Sequence, residues 1–158
     1  MTLYLSYNVD VKSEVIVAYG WSNTDIPVLA LVTNKKRITF FQDEAICISE
    51  HDIVKEEQMT CISWHPVDMI LAYGFETSKI GIWIDEENYS NDENTSHEGR
   101  ITLLKFNNDG TRIVSVDEKN SLIIWKFEGG ITKLCQYKQN FLVEEIFFPN
   151  FDTNHITE

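Results

Sequence analysis

The feature that most constrains this chain is a spacing of 42 residues that recurs in three columns of apolar residues. Phe41, Trp83 and Trp125 stand 42 apart, and Leu29, Leu71 and Ile113 keep the same step. Trp64, Phe106 and Phe148 keep it again, with Trp21 lying 43 residues before Trp64. A fixed period of this length means that one supersecondary unit is repeated. Each unit then buries its apolar faces against its neighbours and not within itself.

The units can be read internally. The runs EVIVAYGW, TCISW and ITLLKF are short, rich in β-branched and aromatic residues, and end at the first aromatic of their unit. Polar breaks follow at Ser22-Asn23-Thr24-Asp25, His65-Pro66-Val67-Asp68 and Asn107-Asn108-Asp109-Gly110. Their Pro, Asn, Asp and Gly residues form turns, so each break joins two strands of a hairpin. The second runs are PVLALVT, MILAYGF and RIVSVD, and the third are RITFF, KIGIW and SLIIW, each finishing on the second aromatic. A fourth, weaker run is AICIS in the first unit and ITKLCQY in the third, with nothing clear in the second. Run length and turn chemistry exclude a helical repeat. Four antiparallel strands in about 40–45 residues, with tryptophan closing the third, make a β-propeller blade.

The expected fold is therefore all-β: a partial propeller of the WD40 type, with about three four-stranded blades and the start of a fourth. The blades are expected at 14–50, 58–96 and 97–138, and the start of the fourth at 141–151. Residues 1–10, where Leu3, Leu5, Tyr7 and Val9 alternate with polar residues, are expected to be a closing strand. Closed propellers generally have about four to eight blades. The remaining blades are expected from a longer chain or from a partner. Trp21, Phe41, Trp64, Trp83, His97, Phe106, Trp125 and Phe148 are the structural blade positions, with Trp64 and Trp83 filling the space between neighbouring blades.

Ser96-His97 stands where WD repeats carry Gly-His, and Ser121-Leu122-Ile123-Ile124-Trp125 where they carry Thr-Ile-x-Ile-Trp. The departures are also specific. Lys126 follows Trp125, Ile84 follows Trp83, and Lys119 and Thr77 occupy the expected place of the turn aspartate. These substitutions predict an incomplete His–Asp–Ser–Trp hydrogen-bond network, with packing carrying more of the stability.

Charge and composition narrow the function classes. The chain has 25 acids against 13 bases, a formal net charge of −12 that repels nucleic acid and anionic lipid. Lys35-Lys36-Arg37 reads as a solvated turn. No run reaches the length of a membrane span, and the N-terminus lacks the pattern of an export signal. Cys47, Cys61 and Cys135 lie in apolar runs without CxxC spacing and are expected to be buried thiols of a reducing compartment. His51, His65, His97 and His155 are isolated, with no metal-ligand spacing, and no glycine-rich phosphate loop is present. No catalytic, metal or cofactor site is expected. The acidic stretch from Asp85 to Asn94 reads first as a solvated inter-blade loop. Its acids Asp85, Glu86, Glu87, Asp92 and Glu93 are the one candidate surface for a basic partner.

The stretches MTLYLSYNVD, CISWHPVDMILAYGFET and ITLLKFNNDGTRIVSVDEKNSLIIW together resemble the N-terminal WD propeller of the 140-kilodalton subunit of intraflagellar transport complex A, or of a close sister subunit. The Trp64-His65-Pro66 turn and the Gly74-Phe75-Glu76-Thr77 hairpin carry the resemblance most specifically, and it spans Met1 to about Phe151. It implies a non-catalytic scaffold of a multi-subunit particle in the cytoplasm and cilium. That particle acts in return transport along the axoneme and in ciliary entry of membrane proteins. A general WD-repeat adaptor, of the ubiquitin-ligase or coat-component kind, fits the blade pattern equally well.

Overall fold

The computed structural model describes residues 14–42, 46–85 and 89–149. The predicted closing strand at 1–10 lies outside them. The chain forms three four-stranded antiparallel meanders with strand orders β1-β2-β3-β4, β5-β6-β7-β8 and β9-β10-β11-β12. The first sheet holds β1 (Ile16–Trp21), β2 (Leu29–Thr33), β3 (Arg37–Phe41) and β4 (Ile53–Val54). The second holds β5 (Met59–Trp64), β6 (Ile70–Phe75), β7 (Lys79–Ile84) and β8 (Tyr89–Asn94). The third holds β9 (Ile101–Phe106), β10 (Arg112–Asp117), β11 (Ser121–Phe127) and β12 (Ile131–Lys138).

The sheets stack face to face, and the strand sequences follow from which faces are covered. Val28, Ala30, Val32, Ile38 and Phe40 of the first sheet meet Met59, Leu71, Tyr73, Phe75 and Trp83 of the second. The opposite face of the second sheet presents Ala72, Ile80 and Ile82 to Ile101, Leu104, Phe106, Ile113, Ile123 and Trp125 of the third. The second sheet is thus buried on both sides, which is why β6 and β7 read as continuous apolar runs and not as alternations. In the third sheet, β11 alternates buried and half-buried positions along its whole length.

The repeat is visible in the backbone as well as in the side chains. Lys36, Ser78 and Asn120 all have positive φ, at 60°, 64° and 60°, and they stand 42 residues apart. Each occupies the last position of the turn between the second and third strands of its sheet, where the chain must pass through the left-handed region. Asparagine tolerates that region readily, whereas lysine and serine hold it at some strain. The turns close with Lys36 N–H on the Thr33 carbonyl (3.2 Å) and Asn120 N–H on the Asp117 carbonyl (2.9 Å).

Three expectations are corrected. The AICIS run is not the fourth strand of the first sheet. Cys47 makes one isolated bridge to Phe41, a short 3-10 turn follows at Ser49–His51, and the fourth strand is the two-residue β4, beyond residue 50. The acidic stretch is not wholly a loop, because Tyr89–Asn94 pairs with β7 as the outermost strand of the second sheet. An outermost strand needs only backbone pairing, so YSNDEN carries no apolar alternation to reveal it. Residues 139–149 form no strand. The chain there lies against the third sheet, with Lys105 Nζ donating to the Ile146 carbonyl (2.8 Å) and Asn108 Nδ2 to the Phe148 carbonyl (3.4 Å).

The closest approaches to a glycine are at Gly81 and Gly110. A Cβ on Gly81 would lie 2.1 Å from Tyr73 Cε2, and one on Gly110, whose φ is +74°, would lie 1.9 Å from His65 Nε2. Tyr73 is fully buried and cannot move aside. Gly81→Ala is expected to destabilise the intact protein by about 3 kcal/mol in urea melts, and by much less in a Tyr73→Leu background. Equal costs in the two backgrounds would disprove the contact.

Candidate functional site

The most elaborate polar arrangement lies inside the third sheet. His97 and Asp117 have fully buried side chains, and Ser115 is fully buried beside them. Trp125 Nε1 donates to Ser115 Oγ at 2.7 Å, Ser115 Oγ lies 2.6 Å from His97 Nε2, and His97 Nδ1 lies 3.1 Å from Asp117 Oδ2. A neutral imidazole protonated on Nδ1 satisfies every group: it donates to Asp117 and accepts the serine proton on Nε2. Asp117 also accepts the N–H groups of Glu98 (3.2 Å), Lys119 (3.0 Å) and Ser121 (2.8 Å), so one carboxylate holds both the histidine and the β10–β11 turn.

This network corrects the expectation that it would be incomplete. The aspartate is Asp117, the last residue of β10, and not the residue at 119. Only from the strand end can a carboxylate reach His97 and the turn N–H groups together. Burial pushes the His97 imidazole below its ordinary value, outweighing the attraction of Asp117. Burial raises the Asp117 carboxyl, but the N–H donors of Ser121 and Glu98 and the His97 ring outweigh it and hold it below the usual carboxylate range.

The second sheet fills the equivalent positions differently. Forty-two residues before His97, Ser115, Asp117 and Trp125 stand Lys55, Tyr73, Phe75 and Trp83. Tyr73 Oη donates to Asp92 Oδ1 (3.0 Å), and Lys55 Nζ lies 3.0 Å from the same carboxylate. With tyrosine in the serine position and its hydroxyl directed to β8, the buried Trp83 Nε1 finds no hydrogen-bond partner among the described residues. Trp83 is held by packing: it stacks on Phe40 at 4.7 Å and meets Trp64 edge-on at 6.3 Å. Thr77 Oγ1 donates to Glu57 (2.5 Å), and Lys79 bridges to the same carboxylate (2.8 Å), so Glu57 holds the β6–β7 turn as Asp117 holds the β10–β11 turn.

The other residues singled out in the sequence are placed as follows. Trp64 Nε1 donates to the Gly20 carbonyl of the first sheet at 2.9 Å. The Phe106 amide donates to Ser63 Oγ of the second sheet at 3.0 Å, and its ring meets His65 edge-on at 5.1 Å. The first aromatics of the second and third sheets are thus tied back to the preceding sheet. Phe41 is buried at the end of β3, Trp21 is 52% exposed on β1, and Phe148 is half-buried in the chain following the third sheet. Of the acids, Asp85 at the end of β7 lies 3.1 Å from His51 Nδ1. Asp92 is engaged by Lys55 and Tyr73, and Glu93 lies in β8 in register with Ile80. Glu86 and Glu87 fall outside the described residues. Asp85 and Asp92 thus engage different partners.

His65, the middle residue of the Trp64-His65-Pro66 turn, is buried. Its Nδ1 accepts the Asp68 N–H at 3.0 Å, and its ring lies between Phe106 and Phe127. It fixes the Trp64-His65-Pro66 turn and joins the second sheet to the third. The cysteines are corrected in part: Cys47 is exposed, while Cys61 and Cys135 are half-buried. Burial pushes the Cys61 thiol up to about 11, far from a reactive thiolate. Among the described residues no three His, Cys, Asp or Glu side chains converge as a metal site, and no helix is long and apolar enough to cross a membrane.

Three stacked antiparallel meanders, a first aromatic of the second and of the third tied back to the sheet before, and a His–Asp–Ser–Trp network define a WD-repeat β-propeller. The model of the family described as the IFT140 first beta-propeller matches residues 2–150, and the chain belongs to that family. The SIR4-interacting protein SIF2 of Saccharomyces cerevisiae is 26% identical over 125 residues, which are 74% of this chain and 23% of that protein. The F-box-like/WD repeat-containing protein TBL1X of Homo sapiens is 30% identical over 89 residues, 55% of this chain and 15% of that protein. The chain therefore spans less than a quarter of the length of either relative. A chain in the crystal structure of a mitotic checkpoint complex superposes with a TM-score of 0.66 at 15% identity, covering 81% of this chain and 38% of that one, which shows the shared fold.

Two predictions follow from the networks. Trp125→Phe strands the Ser115–His97 chain without its donor, whereas Trp83→Phe removes an N–H that has no partner. The first is expected to cost about 1–3 kcal/mol more than the second in chemical denaturation, and equal costs would refute the assignment. For pH, the folded-state value of His97 lies below its ordinary 6.5, so the unfolded chain takes up the proton first. The stability contributed by neutral His97 is complete above 6.5 and is lost as pH falls below it. Asp117 adds a loss of the same sign below 3.8. Thermal melts are expected to fall on acidification from about pH 7 to about pH 5, and His97→Gln is expected to flatten that slope.

Proposed function

We propose that the chain is a non-catalytic docking scaffold of intraflagellar transport complex A, acting in return ciliary transport and in ciliary entry of membrane proteins. The observation that carries this reading is the family match across residues 2–150. The physical organisation is consistent with it: sheets stacked through buried apolar faces make a rigid platform, and exposed Val15, Tyr19 and Trp21 on the first sheet offer apolar surface to a further blade. Those blades come from a longer chain or from a partner subunit, and the cytoplasm and cilium are the setting that the family implies. A second reading, a general WD-repeat adaptor, is favoured by the match to TBL1X, itself named F-box-like/WD repeat-containing.

The test is purification of the endogenous protein through an N-terminal tag from ciliated cells, with its partners identified by mass spectrometry. The expected result is recovery of other propeller-and-solenoid subunits of complex A in comparable amounts. Recovery of F-box or other adaptor partners alone would support the second reading, and unrelated partners or none would overturn the first.

A further inference from the structure

An open groove of about 640 Å³ lies between the first and second sheets, at the end that carries the β1–β2, β5–β6 and β7–β8 connections. Asn23, Asp25 and Ile26 line it from the first connection, Val67 and Met69 from the second, and Asp85 from the end of β7. Its frame is built from two contacts between the sheets and one within the second. Asn23 Nδ2 donates to the Pro66 carbonyl (3.1 Å), Thr24 Oγ1 contacts Met69 Sδ (3.6 Å), and the Asp85 N–H donates to the Met69 carbonyl (3.1 Å). Ser22 Oγ, buried below, accepts the Val28 N–H at 2.8 Å and sets the shape of the first connection. The groove is therefore preformed, and a ligand entering it orders little that is not already ordered.

Its chemistry is one-sided. Asp25 and Asp85 supply negative charge; His51 Nδ1 lies 3.1 Å from Asp85 Oδ1, and among the described residues no lysine or arginine lines the groove. Ile26 and Val67 stand 63% and 65% exposed on opposite walls, with the adaptable thioether of Met69 between the two connections. An acidic occupant would set like charge against both carboxylates, and a neutral one would desolvate Asp25 without compensation. We propose that this groove docks an extended basic segment of a partner protein, with an aliphatic side chain seated against Ile26, Val67 and Met69 and lysine or arginine facing Asp25 and Asp85. The proposal shares with the scaffold reading only that the chain binds a protein partner, and it holds whichever complex the chain serves.

The test uses the intact purified protein and three fluorescein-labelled peptides: GSKLSKVSG, its acidic twin GSELSEVSG, and GSKSSKSSG, which lacks the apolar anchors. Fluorescence anisotropy at physiological salt is expected to show saturable binding of the first, with both twins weaker by about tenfold or more. Asp25→Lys and Asp85→Lys are each expected to weaken the first peptide by about tenfold. Glu76→Lys, on the β6–β7 turn at the other end of the sheet, is expected to leave binding unchanged, with thermal melts showing all three variants folded. Absence of saturable binding, equal binding of the acidic twin, or equal loss in Glu76→Lys would overturn the proposal. Peptide binding that persists although no complex A subunits co-purify would remove the ciliary reading and leave the groove assignment standing.

Discussion

A four-stranded sheet that satisfies its own backbone hydrogen bonds still has two faces to cover, and stacking on a neighbouring sheet is the interaction on which this structure depends. The second sheet shows it most fully, because alternate residues of β6 and β7 are buried against different neighbours. Burying a side chain the size of Leu, Ile or Phe contributes about 1.5–3 kcal/mol, so each stacked face outweighs any single polar contact in the chain. The aromatic cluster of Phe40, Trp64 and Trp83 concentrates that burial at one junction. At the next junction His65, Phe106 and Phe127 do the same.

Stacking tolerates divergence in the polar network. In the third sheet a buried histidine, serine, aspartate and tryptophan satisfy one another. In the second, a lysine, a tyrosine and an aspartate from the outermost strand form a different network around the same positions. The fold needs each buried polar group to find a partner more than it needs particular partners. The cost of the exchange is local, borne by the Trp83 indole N–H. Such interchangeability lets propeller blades lose their signature residues while keeping their shape. It also leaves the connections at the ends of the sheets free to carry recognition chemistry.

Much of the fold was legible in the sequence because it is local and periodic. The 42-residue columns, the three inner strands of each sheet and the polar turns could all be read from residues close together in the chain. The fourth strands were not legible. β4 has two residues, and β8 is polar throughout, since an outermost strand is specified by its neighbour's backbone more than by its own side chains. Asp117 was missed for a different reason. Its partners are His97, twenty residues earlier, and the turn that follows it, and only the antiparallel register of β10 and β11 brings both within reach. Cys47 was misread as buried because AICIS looks like a strand but has only one bridge to Phe41.

By itself the sequence determined the repeating unit, its β character and the family to which the chain is assigned, because period, strand length and turn chemistry are properties of short segments. Only the tertiary structure decided which polar groups complete a network and which acid is consumed by it. Asp92 pairs inward with Lys55 and Tyr73, while Asp85, beside His51, lines a groove framed by contacts between residues 43 and 45 apart along the chain. The physical reason is that charge acts by distance in space, and the stacking of one sheet on the next sets those distances.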